Sequence, residues 1–386
     1  MPSDSSTARV KVLVATHYFS THKGGVEIVA GELNRELITR YGYQLTWMAS
    51  DASPPPHSFP GITKTLRCSN ITERLLGFPM PLPLPSAFRD MWRQVRNADV
   101  LIVHDSLYLT NVLAVFFARR RRIPVVIVQH IGLIPYANVL LRLIMKVANA
   151  VIADNMLARA DSVVFISGLT QRFFSRRVRF RRETALILNG LREDLPGSEE
   201  QVAGERTEPR PIREALFVGR FVEKKGLDVI RRLAERLPGI RWRLCGWGAI
   251  SPESWGLSNV EVARNVGPTE LARYYQSADL LVLPSTGEGL PLVVQEALCF
   301  GCPVISSDEL FVADPWLRDE ITAALVDLGD PEGTARVWAD VIRGMSVPKS
   351  DRLELAARAR ERYSWVAAGS AYNEILTRVV NERQTR

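Results

Sequence analysis

Short apolar runs recur along the first half of the chain, at Val10–Ala15, Leu45–Ala49, Val100–Val103, Val125–Val128, Ser162–Ile166 and Ala185–Leu188. Runs that are apolar at every position, rather than at alternate ones, predict strands buried on both faces, as in a parallel sheet. Helical segments lie between most of them, the first over about Val26 to Thr39. Strand alternating with helix predicts a doubly wound parallel α/β sheet, whose ligands bind at the carboxyl ends of the strands.

The pattern stops between Glu193 and Pro211, a stretch of Asp, Glu, Gly and Pro with no apolar run, which reads as a linker between domains. A second alternation begins at Ala215 and continues through Trp242–Leu244, Val260–Val262, Leu280–Leu283, Val304–Ile305 and Ala324–Val326. The tail from Glu354 to Arg386 reads as mainly helical. The expected division is a Rossmann-like domain over 1–193, a linker over 194–212, a second Rossmann-like domain over 213–365 and a terminal helix over 366–386.

Candidate chemistry concentrates in the second half. Glu288 and Glu296 lie eight residues apart in the segment that follows the run Leu280–Leu283. Pro291 suits the first turn of a helix that Val293 to Phe300 continue. Glu288 is then placed just ahead of a helix N-terminus and Glu296 about two turns inside, so that two carboxylates could hold hydroxyls at two depths. The helix N-terminus between them favours a negative group. A second strand–turn–helix runs from Leu216 to Asp228, with Gly219 and Gly226 allowing close backbone approach and Arg220 and Lys225 flanking the turn. Arginine offers phosphate a planar fork and lysine a point charge. Hydroxyl-holding acids beside a phosphate-binding turn point to a nucleotide sugar.

The set Gly219-Arg220…Lys225-Gly226 with Glu288-x7-Glu296 resembles the signature of family 4 of the retaining glycosyltransferases, which have the GT-B fold. Further motifs follow in the family's order: Gly24-Gly25-Val26-Glu27, Val128-Gln129-His130, Asn189-Gly190 and Leu244-Cys245-Gly246-Trp247-Gly248. The resemblance implies two Rossmann-like domains facing a cleft, the first binding the acceptor and the second the donor, with the last helix crossing back onto the first domain. It implies that Arg220 and Lys225 neutralise the leaving diphosphate beside Gly219. It gives Glu296 the ribose hydroxyls, and Glu288 the donor sugar with backbone amides near Gly289 and Leu290. The segment Arg264 to Gly267 falls where the family holds the base. His130 matches the active-site histidine, although Ile131-Gly132 follow it where the family commonly has an acidic or small polar residue. Gly24 and Gly25 would leave room for phosphate or sugar, and His104 and, more weakly, His17 are further candidates for polar contacts at strand ends.

Composition narrows the partners. The 386 residues carry a formal net charge of +7, which suits an acidic partner or surface. No nucleic-acid-binding module is recognisable, so nucleic acid is not expected. Cys68, Cys245, Cys299 and Cys302 are few and scattered, as in a reducing cytosol, and the lone Cys299-x-x-Cys302 reads as core packing. The N-terminus lacks a signal-peptide core, and Val139 to Ala153 is too short and charged to span a bilayer. No Asp-x-Asp occurs, so no metal and no cofactor are expected, with the two cations at the diphosphate instead. Without a clear covalent nucleophile, same-face attack by the acceptor hydroxyl is favoured.

Basic segments beside aromatics lie at Phe116–Arg122, Leu140–Lys146 and Phe173–Arg182. They make an anionic membrane surface a candidate partner and a cytoplasmic enzyme, peripheral to the inner face, the expected form. The run Pro79–Pro85 reads as a loop at the cleft. The resulting expectation is a metal-independent hexosyl transfer from a UDP- or GDP-linked sugar to a glycan or lipid-linked hydroxyl, in cell-surface polysaccharide or glycolipid assembly. A nucleotide-sugar epimerase of the same fold and a non-catalytic nucleotide-sugar-binding subunit are the alternatives.

Overall fold

The structure, a computed structural model, describes residues 9–22, 24–71, 80–132, 139–191, 211–287, 289–346 and 349–385. It divides into two compact units. The first comprises residues Met1–Asn189 with Trp365–Arg386, and the second Gly190–Ser364.

The first unit is built on a seven-stranded sheet in the order β3-β2-β1-β6-β7-β8-β9. Its strands are β1 (Lys11–Ala15), β2 (Gln44–Ser50), β3 (Ile62–Leu66), β6 (Val100–His104), β7 (Val125–Gln129), β8 (Ser162–Phe165) and β9 (Ala185–Leu186). Every pairing is parallel. The helices are α1 (Gly25–Tyr41), α2 (Pro85–Arg96), α3 (Leu109–Arg120), α4 (Val139–Ala148), α5 (Asp154–Ala158) and α6 (Gly168–Ser175). All five positions of β6 and of β7 are buried. That is why these strands read as unbroken apolar runs, and full burial of each such side chain contributes about 1.5–3 kcal/mol. Strand order reverses between β1 and β6, which are paired with Ala15 beside Val103.

The second unit repeats the plan in a six-stranded sheet of order β12-β11-β10-β13-β14-β15, again with parallel pairs throughout. The strands are β10 (Glu214–Arg220), β11 (Arg241–Trp247), β12 (Val260–Ala263), β13 (Leu280–Leu283), β14 (Val304–Ser307) and β15 (Thr322–Ala324). The helices are α7 (Leu227–Arg236), α8 (Pro268–Ser277), α9 (Leu292–Cys299), α10 (Leu310–Ala313), α11 (Leu317–Glu320), α12 (Pro331–Gly344) and α13 (Lys349–Arg362). Order reverses between β10 and β13, with Leu216 beside Leu281. In sheets of this kind the crevice at the reversal is where ligands bind.

The terminal helix α14 (Trp365–Gln384) packs on the first unit. The Tyr43 hydroxyl donates to Asn373 Oδ1 at 2.8 Å, Arg182 pairs with Glu382, and Arg383 donates to the Asp99 carbonyl at 2.9 Å. The break between Ser364 and Trp365 lies one residue before the division read from the sequence.

Several sequence expectations change. The run at Pro79–Pro85 is not simply a loop: β5 (Leu82–Pro83) pairs antiparallel with β4 (Cys68–Ser69), and Pro85 opens α2. Proline is tolerated in this short two-stranded edge and at a first helical turn because it needs no donor there. Most of the expected linker lies outside the described residues; within it, Pro211 bridges Ser346. Cys299 and Cys302 are fully buried free thiols, pushed up by burial to about 12 and about 11 respectively.

Candidate functional site

In the second unit three loops meet at the reversal of strand order. Arg220 ends β10, and the turn after it carries a single 3-10 turn, Glu223–Lys225. Gly226 closes that turn with φ +72, and a Cβ there would lie 2.2 Å from the carbonyl oxygen of Pro284. Glycine is therefore required both by the left-handed backbone and by the contact. The contact presses the basic turn against the loop that leaves β13, and the Thr286 amide, donating to the Lys224 carbonyl at 3.3 Å, holds the same pair of loops. The loop after β11 joins them through the Phe221 amide, which donates to the Trp247 carbonyl at 2.7 Å.

The cations are positioned by these contacts. The Arg220 guanidinium lies 5.0 Å from the centre of the half-exposed Trp247 ring. Stacking on an aromatic face orients the planar fork while leaving its donors for a ligand. The Lys225 stem passes Gly219, with Cδ 3.9 Å from where a Cβ would sit. The structure thus brings Gly219, Arg220 and Lys225 together at the carboxyl end of β10.

Glu288 lies outside the described residues. Gly287 before it is tied by its amide to Glu309 Oε2 at 2.9 Å, and Leu290 after it is buried beside the partly buried Gly289. Pro291 is the N-cap of α9 rather than its first residue, so Glu296 lies in the second turn of a shorter helix. Its carboxylate is buried and accepts the Tyr275 hydroxyl at 2.8 Å. Burial and the neighbouring Glu296 charge push the Tyr275 hydroxyl well above its ordinary value, so it stays a donor. Tyr275 was not singled out in the sequence; it sits on α8, and nothing local in the chain marks the pairing. Arg264, in the segment expected at the base, stacks over Phe221 at 5.2 Å and makes a two-pronged ion pair with Glu253 at 2.6 and 2.9 Å. Its fork is engaged by Glu253.

In the first unit the carboxyl ends of β1, β6 and β7 assemble a buried polar cluster. His104 Nδ1 lies 2.9 Å from His130 Nε2, so that one ring donates and the other accepts. Burial, reinforced by the His17 charge, drives the His130 imidazole down to about 3, and burial with the His130 charge drives His104 well below its ordinary value. Both rings are neutral at physiological pH. Asp105, in the left-handed backbone region at φ 68, accepts the amides of His130 at 2.9 Å and Ile131 at 3.2 Å and the Gln129 side chain at 3.0 Å. Asn111 Nδ2 donates to the carbonyls of His104 and Asp105 at 2.6 and 2.9 Å, holding that strained turn. Burial raises the Asp105 carboxyl to about 6 despite the amides it accepts.

Two expectations for this unit are corrected. His104 was a candidate for polar contacts with a ligand at a strand end, but it is fully buried and meets His130 instead. Gly24 was expected to leave room for phosphate or sugar, but a Cβ there would lie 2.1 Å from Glu27 Oε2. The protein's own carboxylate fills that space. Gly25 has open space. Glu27 is itself buried and pairs with His17 Nε2 at 2.7 Å, while the His17 ring stacks on Tyr108 at 3.6 Å. Burial alone would raise the Glu27 carboxyl; the hydrogen bond and charge of His17 outweigh it and hold it below its ordinary value. In the sequence Glu27 stands only as part of a glycine motif, and an acid three residues past a glycine carries no local sign that it folds back.

A doubly wound parallel sheet in each unit is the arrangement of a GT-B glycosyltransferase, and comparison with known proteins agrees. The family model "Glycosyltransferase Family 4" matches residues 23–195 and the model "Glycosyl transferases group 1" matches residues 213–343. The chain belongs to the family-4 type of GT-B glycosyltransferase. A D-inositol 3-phosphate glycosyltransferase of Xylanimonas cellulosilytica is 31% identical over 191 residues, covering 44% of this chain and 43% of the relative. The corresponding enzyme of Mycobacterium tuberculosis is 32% identical over 205 residues, covering 46% and 40%. The matched stretch thus spans less than half the length of these relatives. Among solved structures, a sucrose-phosphate synthase from Thermosynechococcus elongatus superposes over 97% of this chain and 100% of its own, with TM-score 0.67 and 18% identity. The Anabaena HepE protein in complex with UDP covers 95% and 100%, with TM-score 0.68 and 16% identity. At these identities the likeness is one of fold.

Proposed function

We propose that the chain moves a hexosyl unit from a UDP- or GDP-linked sugar to a hydroxyl acceptor with retention of configuration, without a metal ion, in the assembly of a cell-surface glycan or glycolipid. One observation carries this reading: the contact of Gly226 with Pro284, which joins the Arg220–Lys225 turn to the loop leading into the Glu296 helix. Cations at the end of one strand and a buried, tyrosine-held carboxylate beyond its neighbour suit the diphosphate and ribose of one nucleotide. The Anabaena structure, solved with UDP, supports a nucleotide donor for this fold.

In the proposed reaction the acceptor hydroxyl oxygen bonds to the anomeric carbon on the face from which the phosphate departs. The carbon–oxygen bond to phosphate breaks, and the departing phosphate oxygen takes the hydroxyl proton. Arg220 and Lys225 stabilise the charge that develops on the diphosphate, an effect often worth several kcal/mol where the donors are preorganised. His130, neutral and braced by His104 and the Asp105 turn, offers a hydrogen bond rather than a positive charge to a hydroxyl-bearing ligand of the first unit. The Glu27 carboxylate beside Gly24 disfavours an acceptor phosphate at that point and suits a hydroxyl-rich acceptor.

The test is nucleotide release from UDP- and GDP-sugars in the presence of glycan and lipid-linked hydroxyl acceptors, with the product's anomeric configuration read by NMR. Release coupled to a retained glycoside supports the reading. An inverted product overturns the stereochemistry, and conversion of the donor sugar without any acceptor favours an epimerase. Binding without turnover across the panel favours a non-catalytic subunit.

A further inference from the structure

The helix α4 continues through a π-helical segment, Asn149–Ala153, into α5. Its outward side is apolar. Leu143, Ile144, Val147 and Val151 are 57%, 53%, 54% and 61% exposed, while Met145 and Asn149 turn inward and are buried. At about 100° per residue Leu143, Ile144 and Val147 of α4 fall within an arc of about 100°, with Lys146 about 60° beyond Leu143, and Val151 follows in the π-helical segment. A helix that is apolar on its outer as well as its inner side is normally covered. Large apolar side chains grouped on a surface mark an interaction site, whereas scattered ones do not.

Charge accompanies the stripe. Between residues 139 and 182 the chain has nine Lys and Arg against two Asp, a local net charge of +7 that equals that of the whole protein. Part of this charge lies on the end of α6 and the turn beyond it, where Arg172, Arg176 and Arg179 are exposed. The α6 end is fastened to the start of α5 by the ion pair of Arg177 with Asp154 at 2.6 Å, and the Arg177 guanidinium lies over the Phe173 ring at 4.9 Å. Arg119 of α3 joins the same corner by donating to the Met156 carbonyl at 3.2 Å. An apolar stripe with a cationic border is the chemistry that lies in the boundary of an anionic bilayer, with side chains among the acyl chains and cations among the headgroups. Among the described residues no helix is long and apolar enough to cross a membrane.

We infer that the α4 face, with the arginines at the end of α6, docks this protein on an anionic lipid surface. The site needs no nucleotide sugar and stands apart from the reaction proposed above.

The experiment is flotation of the full chain with phosphatidylcholine vesicles, with and without phosphatidylglycerol, for wild type and the I144S/V147S double variant. Both substituted positions are exposed, so the melting temperature should be unchanged and serves as the control of folding. The expected result is wild-type flotation with the anionic vesicles, weakened by salt, and a partition coefficient about tenfold lower in the variant. Absence of wild-type flotation at low salt overturns the inference, as does flotation undiminished by the double substitution, which would leave only diffuse charge attraction. Sedimentation of the lipid-free protein distinguishes the other occupant: a dimer that the variant dissolves would assign the stripe to a second copy and overturn lipid docking.

Discussion

Gly226 and Pro284 touch so closely that no other residue fits at position 226: a Cβ would stand 2.2 Å from the Pro284 carbonyl oxygen, and the backbone is left-handed at φ +72. Through this contact the turn that carries Lys225 is packed against the loop that leads to Glu296. Gly226→Ala should cost at least the roughly 1–2 kcal/mol of a left-handed non-glycine residue, plus the displacement of one loop. The expected outcome is a lowered melting temperature together with loss of nucleotide binding, measured by calorimetry. Unchanged binding would separate the two loops functionally.

Lys225→Ala removes charge from the same turn without touching a core side chain. Turnover should fall by about a hundredfold or more, the scale on which loss of one preorganised donor acts, with little change in melting temperature. Steady-state kinetics beside a melting curve checks both halves of the statement, and wild-type turnover would remove Lys225 from the leaving-group site.

Glu296 is the buried end of a hydrogen bond from Tyr275. Glu296→Ala should weaken donor binding about tenfold to a hundredfold, the range for a lost hydrogen bond to a charged group, and leave catalysis of bound donor less affected. Tyr275→Phe should act in the same direction and more weakly, by freeing the carboxylate from its support. Titration calorimetry with the donor nucleotide reads both effects; normal affinity in Glu296→Ala would exclude it from the ribose.

The paired histidines make a pH prediction with a definite sign. His130, lowered from 6.5 to about 3, and His104, lowered as well, bind protons more readily in the unfolded than in the folded chain. Their contribution to stability is therefore present above pH 6.5 and is lost as pH falls toward 3. Asp105, raised from 3.8 to about 6, takes its proton in the folded state and partly offsets this loss below pH 6. Each uncompensated proton changes stability by about 1.4 kcal/mol per pH unit. The urea midpoint should fall from pH 7 to pH 5.5, and fall less in His104→Gln. Equal slopes in the two proteins would contradict the buried neutral pair.

Much of this organisation was legible in the chain, and the reasons are physical. Fully buried strands such as β6 and β7 leave continuous apolar runs, and the two glycines around Arg220 and Lys225 announce a turn. The edge strand β3, Ile-Thr-Lys-Thr-Leu, is largely solvent-facing and left no such run. β5 was hidden among prolines. The supports of the site were less visible still, because each depends on residues that only folding brings together: Tyr275 on Glu296, Trp247 beneath Arg220, His17 on Glu27. The sequence pointed to an open glycine at position 24, where the structure has a carboxylate folded over it, since a side chain's direction cannot be read from spacing alone.

The most direct measurement is a thermal-shift comparison of wild type and Arg220→Ala with UDP, GDP and ADP. A ligand that binds the native state raises its melting temperature once in excess of its dissociation constant. The account predicts a clear rise for wild type with UDP or GDP and none for Arg220→Ala. No rise with any nucleotide, or a rise that survives the substitution, would contradict a diphosphate site at the Arg220–Lys225 turn.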